Sequence, residues 1–235
     1  MRVKFALAVL NFGLLTAGAF GATIGQVDTF SSGVANWEVG DPTNPNQPLW
    51  VAGGGPGGAS DGYLQLRSGP NPGPGSRLAV NNDMQWAGNY LASGIGAIAM
   101  DVRNLGTTDL YLRLLVETEN PNPGPPLNAA FSTNAVFVPA GSGWTRVLFP
   151  LAPSALTSTG LGTITGALSN VSELRLFHNP NPSFAGPPNS TPAITALLGI
   201  DNISAVPEPS TLVLSGLGAA CLFVFGRRRR AANPR

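Results

Sequence analysis

The sequence predicts an all-β protein built as an antiparallel β-sandwich, most simply a jelly roll, and three observations carry that expectation. In DLYLRLLVETE, Leu110, Leu112, Leu114 and Val116 fall on one face and Tyr111, Arg113, Leu115, Glu117 and Glu119 on the other, a period of two held for ten residues. Four loops share an Asn-Pro vocabulary: DPTNPNQP from Asp41, GPNPGPGS from Gly69, NPNPGPP from Asn120 and HNPNPSFAGPPN from His178. Proline has no N–H to give a ladder, so these loops end strands. Between them no segment has a helical period, and about ten short runs separated by turn signals match a sandwich.

In chain order, MRVKFALAVLNFGLLTAGAFGA opens with Arg2 and Lys4, continues with an apolar stretch from Phe5 to Leu15 and ends in small residues, the three-part pattern of a secretory signal over residues 1–21. The body, residues 22–205, then offers strands at IGQVDTF, NWEV, GYLQLR, SRLAV, AIAMDVR, DLYLRLLVETE, FSTNAVFV, GWTRVLFP, VSELRLFH and AITALLGIDNISAV. In AIAMDVR, Ile98, Met100 and Val102 alternate with Ala99, Asp101 and Arg103; in VSELRLFH, Leu174 and Leu176 alternate with Glu173, Arg175 and Phe177. APSALTSTGLGTITGALSN is the longest stretch without a pattern, and the strand signals on both sides of it argue for one domain.

Composition narrows the chemistry. The body carries six arginines against eleven carboxylates, a charge that disfavours nucleic acid as a partner, since phosphate binding needs clustered cations. The only cysteine, Cys221, lies in the apolar tail, which removes disulfides, cysteine zinc sites and a thiol nucleophile from the body. One histidine, His178, and no G-x-S-x-G motif leave no hydrolytic triad. A non-catalytic protein is expected. The alternatives are a purely structural surface protein and a glycan hydrolase working through carboxylates such as Glu117 and Glu119.

The order FSSGVANWEV, GGGPGGASDGYLQL, AIAMDVRNLGTTDLYLRLLVE, GSGWTRVLFPL, VSELRLFH and LGIDNISAV resembles that of galactose-binding-like jelly rolls among carbohydrate-binding modules. The resemblance implies a structural calcium held near the chain ends by an early acidic residue and a late aspartate, here Asp28 and Asp201, with Asp61 as a third; the other reading of these aspartates is strand-end residues bonded to turn amides. It also directs attention to a sheet face for polysaccharide, carrying Asp101, Arg103, Tyr111, Arg113, Glu117 and Arg175, with Arg103, Tyr111, Arg113 and Arg175 as the candidate ligand contacts. Exposed strands with this alternation also read as solvated faces with cross-strand ion pairs. The rigid Asn-Pro loops are the second candidate surface.

The tail reads separately. Thr211 to Phe225 is an uncharged run of fifteen residues, about 23 Å as a helix and short of a hydrocarbon core of roughly 30 Å, followed by Arg227, Arg228, Arg229 and Arg230. It is expected to insert as a short transmembrane helix with the arginines on the cytoplasmic side and residues 231–235 as a cytoplasmic tail. Pro207, Glu208 and Pro209, the apolar run and the arginines, residues 206–230 together, resemble the PEP-CTERM sorting signal of Gram-negative bacteria. That resemblance implies recognition by an exosortase, residence in the inner membrane before processing, and passage to the cell surface or an exopolysaccharide matrix.

Overall fold

The computed structural model of the chain describes residues 21–40, 43–69, 76–184 and 192–207. Residues 1–20 of the expected signal peptide, Glu208, Pro209, the apolar run and Arg227 to Arg230 lie outside the described residues. Among those described are twelve strands: β1 (Val27–Asp28), β2 (Leu49–Val51), β3 (Tyr63–Ser68), β4 (Ala79–Asn82), β5 (Ala97–Asn104), β6 (Leu110–Thr118), β7 (Asn128–Ser132), β8 (Val136–Val138), β9 (Thr145–Pro150), β10 (Leu156–Ser158), β11 (Glu173–His178) and β12 (Ala196–Val206). They form two antiparallel sheets. The first runs β2-β3-β12-β5-β9 with β1 also on β12, and the second runs β10-β7-β6-β11-β4 with β8 also on β6.

Alternation decides what enters the sandwich. Ile98, Met100 and Val102 of β5, Leu64 and Leu66 of β3, and Leu198, Ile200 and Ile203 of β12 meet Leu110, Leu112, Leu114 and Val116 of β6 and Leu174 and Leu176 of β11 in one core. Each such side chain withdrawn from water contributes on the order of 1.5–3 kcal/mol. A second, smaller apolar cluster lies on the outer face of the second sheet, where Leu115, Ala129, Phe131, Phe177 and Phe184 are buried together. Phe177 sits between the other two rings, 6.4 Å from Phe131 and 5.1 Å from Phe184.

The structure departs from the expected elements in four places. FSTNAVFV is not one strand: β7 ends at Ser132 and β8 starts at Val136, and the two pair with opposite halves of β6. Arg113 explains the break, since its Nη1 donates to the carbonyls of both Ser132 and Thr133 and leaves them unavailable to a ladder. NWEV supplies only a bridge from Glu38 to Asn81. LWV, unassigned in the sequence, forms β2 at the edge of the first sheet. The unpatterned stretch contains a 3-10 turn (Pro153–Ala155), β10 and a helix α1 (Ile164–Ser169), whose N-terminus is capped by Thr163 Oγ1 accepting from the Gly166 N–H at 2.9 Å.

The sandwich also corrects the expected ligand face. Asp101 and Arg103 stand on the outer face of the first sheet, through β5, whereas Tyr111, Arg113, Glu117 and Arg175 stand on the outer face of the second, through β6 and β11. Two packed sheets separate the groups.

Candidate functional site

On the first sheet, Leu49, Gln65, Gly199 and Arg103 line up in one row across β2, β3, β12 and β5. Gly199 leaves a slot that the Trp144 ring fills: a Cβ there would lie 2.9 Å from Trp144 Cη2 and 3.2 Å from Tyr63 Cε2. Trp144 meets Tyr63 edge to face at 5.3 Å and donates from Nε1 to the Gly54 carbonyl at 2.9 Å, which pins the Gly-rich loop to this face. In the next row Asp101 lies opposite both Asp201 and Arg146, and Arg146 Nη1 is 3.5 Å from Asp101 Oδ2. Asn202, with φ +49°, forms the bulge beside them and donates through Nδ2 to Asp101 at 2.8 Å. Asp201 is fully buried, and its carboxyl is pushed up to about 7 by that burial and by the charges of Asp61 and Asp101, against the pull of the Asn202 N–H.

Asp28 and Asp201, the expected calcium pair, are not brought together. Asp28 pairs with Ile203, whose side chain enters the core, so the two aspartates point to opposite faces of the first sheet. Asp28 Oδ2 accepts from Trp37 Nε1 at 2.8 Å, Trp86 Nε1 at 2.7 Å and Gln85 Nε2 at 3.0 Å, and that oxygen is engaged by indoles and an amide. Among the described residues no group of three His, Cys, Asp or Glu side chains is arranged to hold a metal. The donor set at Asp28 and Asp201 does not fit calcium's six to eight oxygens around one centre.

On the second sheet the four outward residues have different occupations. Arg113 is 3% exposed and donates only inward: Nε to the Asn179 carbonyl at 2.9 Å, Nη1 to Ser132 and Thr133 at 2.8 and 2.6 Å, and Nη2 to Pro180 at 3.2 Å. It staples two loops across the sheet and is unavailable to a ligand. His178 is equally internal, its Nδ1 accepting from the Tyr111 N–H at 3.0 Å, with burial lowering its pKa to about 4. Tyr111 stacks at a tilt on Phe137, 5.1 Å away and 51% exposed, forming an aromatic patch at one end of the face.

At the other end, six residues further along β6, the charges gather. Glu117 and Glu173 are register partners on β6 and β11, and Arg175 Nη2 lies 2.5 Å from Glu173 Oε1 and 3.8 Å from Glu117 Oε1, with its guanidinium 5.6 Å from the Phe184 ring centre. Burial raises both carboxyls, Glu173 to about 7, with Arg175 opposing the rise and the neighbouring carboxylates adding to it. Where β6 ends, Glu117, Glu119 and the Asn120 to Pro126 loop line an open cavity of about 410 Å³. The loop is set by its own bonds: Asn122 N–H donates to Asn120 Oδ1, Asn120 Nδ2 donates to the Pro125 carbonyl, and Leu127 N–H donates to Thr118 O. Of the Asn-Pro loops expected as a secondary surface, the one from Asn120 lines this cavity. Its signal in the sequence was the pair Glu117 and Glu119 running directly into NPNPGPP.

Comparisons with known proteins agree with this architecture. The chain is similar to the family 11 carbohydrate-binding module from Clostridium thermocellum solved in complex with a β-1,3-1,4-mixed-linked tetrasaccharide, at a TM-score of 0.51 and 13% identity over 80% of this chain and 98% of that one. The solution structure of CtCBM11 gives a TM-score of 0.50 at 14% identity, covering 81% and 98%. An exo-β-agarase structure gives 0.50 at 13% identity, covering 78% of this chain and 25% of the enzyme. No curated protein matches. Residues 205–230 match the family described as the PEP-CTERM protein-sorting motif, and the match starts within β12, whose last residue, Val206, directly precedes Pro207. The chain is thus a jelly-roll domain of the fold seen in carbohydrate-binding modules, carrying at its C-terminal side a PEP-CTERM motif that marks it for export and exosortase processing.

Proposed function

We propose that the protein is a non-catalytic surface or matrix protein that binds exopolysaccharide, and that the cavity at the end of β6 is where it does so. The cavity carries the reading: about 410 Å³, two glutamates in its lining and a wall stiffened by proline. Sugar recognition needs a concave, largely prepared surface with a few fixed polar groups, and rigidity lowers the ordering cost of binding. Tyr111 and Phe137 add an apolar platform for a sugar ring on the same face, one strand length away. The fold likeness to carbohydrate-binding modules is consistent with this use without assigning a glycan. A sorting motif at the C-terminal side supports export to where such polymers are met.

A glycan array probed with the full-length protein in detergent tests the reading. Binding that is lost when Glu117 and Glu119 are both changed to Gln is expected. No binding, or binding equal in wild type and variant, would sink it and leave the structural surface protein, which the stapling of Arg113 and the buried Phe177 favour. Mass spectrometry of the protein's C-terminus in cells with and without exosortase is expected to show a product ending near Pro207 to Pro209 only in the former.

A further inference from the structure

We propose that the sugar unit taken by this cavity is an amino sugar with a free ammonium group, so that the preferred polymer is cationic. The inference rests on the reading of the cavity as the glycan site and adds its ligand chemistry.

The wall is poor in donors. Pro121, Pro123 and Pro126 have no N–H, and neither does Pro125 behind them. The Asn122 N–H and the Asn120 amide are turned into the loop, and the Glu119 N–H is given to Ser172 Oγ at 2.6 Å. The lining residues bring the Glu117 and Glu119 carboxylates and the carbonyls of a proline loop as acceptors, against the Asn122 carboxamide and the Gly124 N–H as donors. A sugar hydroxyl offers this wall one donor and two lone pairs for which the wall has few donors, whereas an ammonium offers three donors and no acceptor.

Charge points the same way. No basic side chain lines the cavity; Arg175 is paired with Glu173 at 2.5 Å and lies 3.8 Å from Glu117, which leaves Glu119 as the carboxylate outside that cluster. Uronic acids would meet Glu117 and Glu119 with like charge. A divalent cation needs more converging carboxylates than the described residues supply. The groups that act on Glu117 are Glu119, just past the end of β6, and Arg175 and Glu173 on β11, with Asp83 acting on Glu173. Burial raises the Glu117 carboxyl, so a bound ammonium, which favours its ionised form, draws a proton off it.

Isothermal titration of the full-length protein in detergent, with glucosamine hexamer, its fully N-acetylated counterpart, a neutral β-glucan, a polyuronate and hexalysine as probes, decides the matter. Glucosamine hexamer is expected to bind about tenfold or more tightly than the acetylated form, the size of one charge-assisted hydrogen bond in a half-open site. Its affinity is expected to fall about tenfold in Glu119→Gln, and its apparent enthalpy to depend on buffer ionisation. Equal binding of acetylated and free forms, both lost in Glu119→Gln, overturns the amino-sugar preference while the glycan site stands. Hexalysine binding as tightly as glucosamine hexamer overturns it as well, reducing the cavity to a general cation patch. Failure of every saccharide to bind overturns the glycan reading itself.

Discussion

Changing Asp28 to Ala removes the acceptor for three side-chain donors at once, two of which sit in the core. Trp86 is fully buried and Trp37 is 1% exposed, so neither indole N–H has water to turn to. An unsatisfied buried donor costs about 1–3 kcal/mol, which gives roughly 2–6 kcal/mol for the two indoles before Gln85 is considered. The lower half of that range is the better expectation, about 3 kcal/mol, because Asp28 is itself half-buried and water enters behind a truncated side chain. Asn at 28 keeps an oxygen in reach and is expected to cost about 1–2 kcal/mol, the difference between charged and neutral acceptors. Urea unfolding followed by tryptophan fluorescence reads the indoles directly, and for a domain of this size 3 kcal/mol corresponds to a fall in Tm on the order of 6–12 °C. An Asp28→Ala protein within 1 kcal/mol of wild type would refute the reasoning. So would a wild-type protein whose Tm drops on calcium chelation and recovers on replacement while the variant's does not, since that would return Asp28 to a metal.

Other perturbations test the remaining parts of the structure. Arg113→Met leaves four backbone carbonyls without its guanidinium as donor and is expected to cost about 2–4 kcal/mol, with hydrogen exchange rising at residues 132–134 and 179–184; unchanged exchange there would show that the staple is dispensable. Gly199→Ala places a methyl 2.9 Å from Trp144 and is expected to cost about 1–3 kcal/mol and to redden Trp144 emission, whereas a stabilised variant would mean the ring moves aside freely. For pH, Glu173 and Asp201 have folded pKa values raised to about 7 from 4.5 and 3.8, so the unfolded chain loses their protons first and stability falls as pH rises from about 4 to about 7. His178, lowered from 6.5 to about 4, acts oppositely, its contribution falling away as pH drops below 6.5. Two carboxyls outweigh one imidazole, so urea midpoints are expected to be higher near pH 5 than at pH 8, with a smaller difference in Glu173→Gln; a midpoint rising over that interval would contradict the assignment.

Period-two patterning told which residues of β5, β6 and β11 enter the core, because a strand buries alternate side chains wherever it lies. It did not tell which sheet a strand joins. Asp101 and Tyr111 belong to adjacent strands in sequence, yet β5 pairs with β9 and β12 while β6 pairs with β7, β8 and β11, and only these long-range ladders separate their faces. Arg113 read as a solvent-facing charge because its neighbours alternate correctly. The apolar residues at outward positions, Leu115 and Phe177, were the available sign that this face is covered. Helix α1 escaped notice because six residues with a central glycine carry too little periodicity to register. The sorting triplet was legible outright, since proline and charge at the end of a strand need no tertiary context.

The junction between β12 and the sorting motif has a mechanical consequence. β12 is an inner strand of its sheet, laddered to β1, β3 and β5, and its final residues are still bonded, Ala205 O accepting from the Gly25 N–H and Val206 O from the Gly96 N–H. No spacer stands between that ladder and Pro207. Any pull on the domain through its C-terminal attachment, whether from a membrane or from a polymer joined there, enters along the axis of β12 and loads its neighbouring ladders in shear, all bonds together, instead of peeling an edge strand one bond at a time. A load applied there would be shared by the whole first sheet.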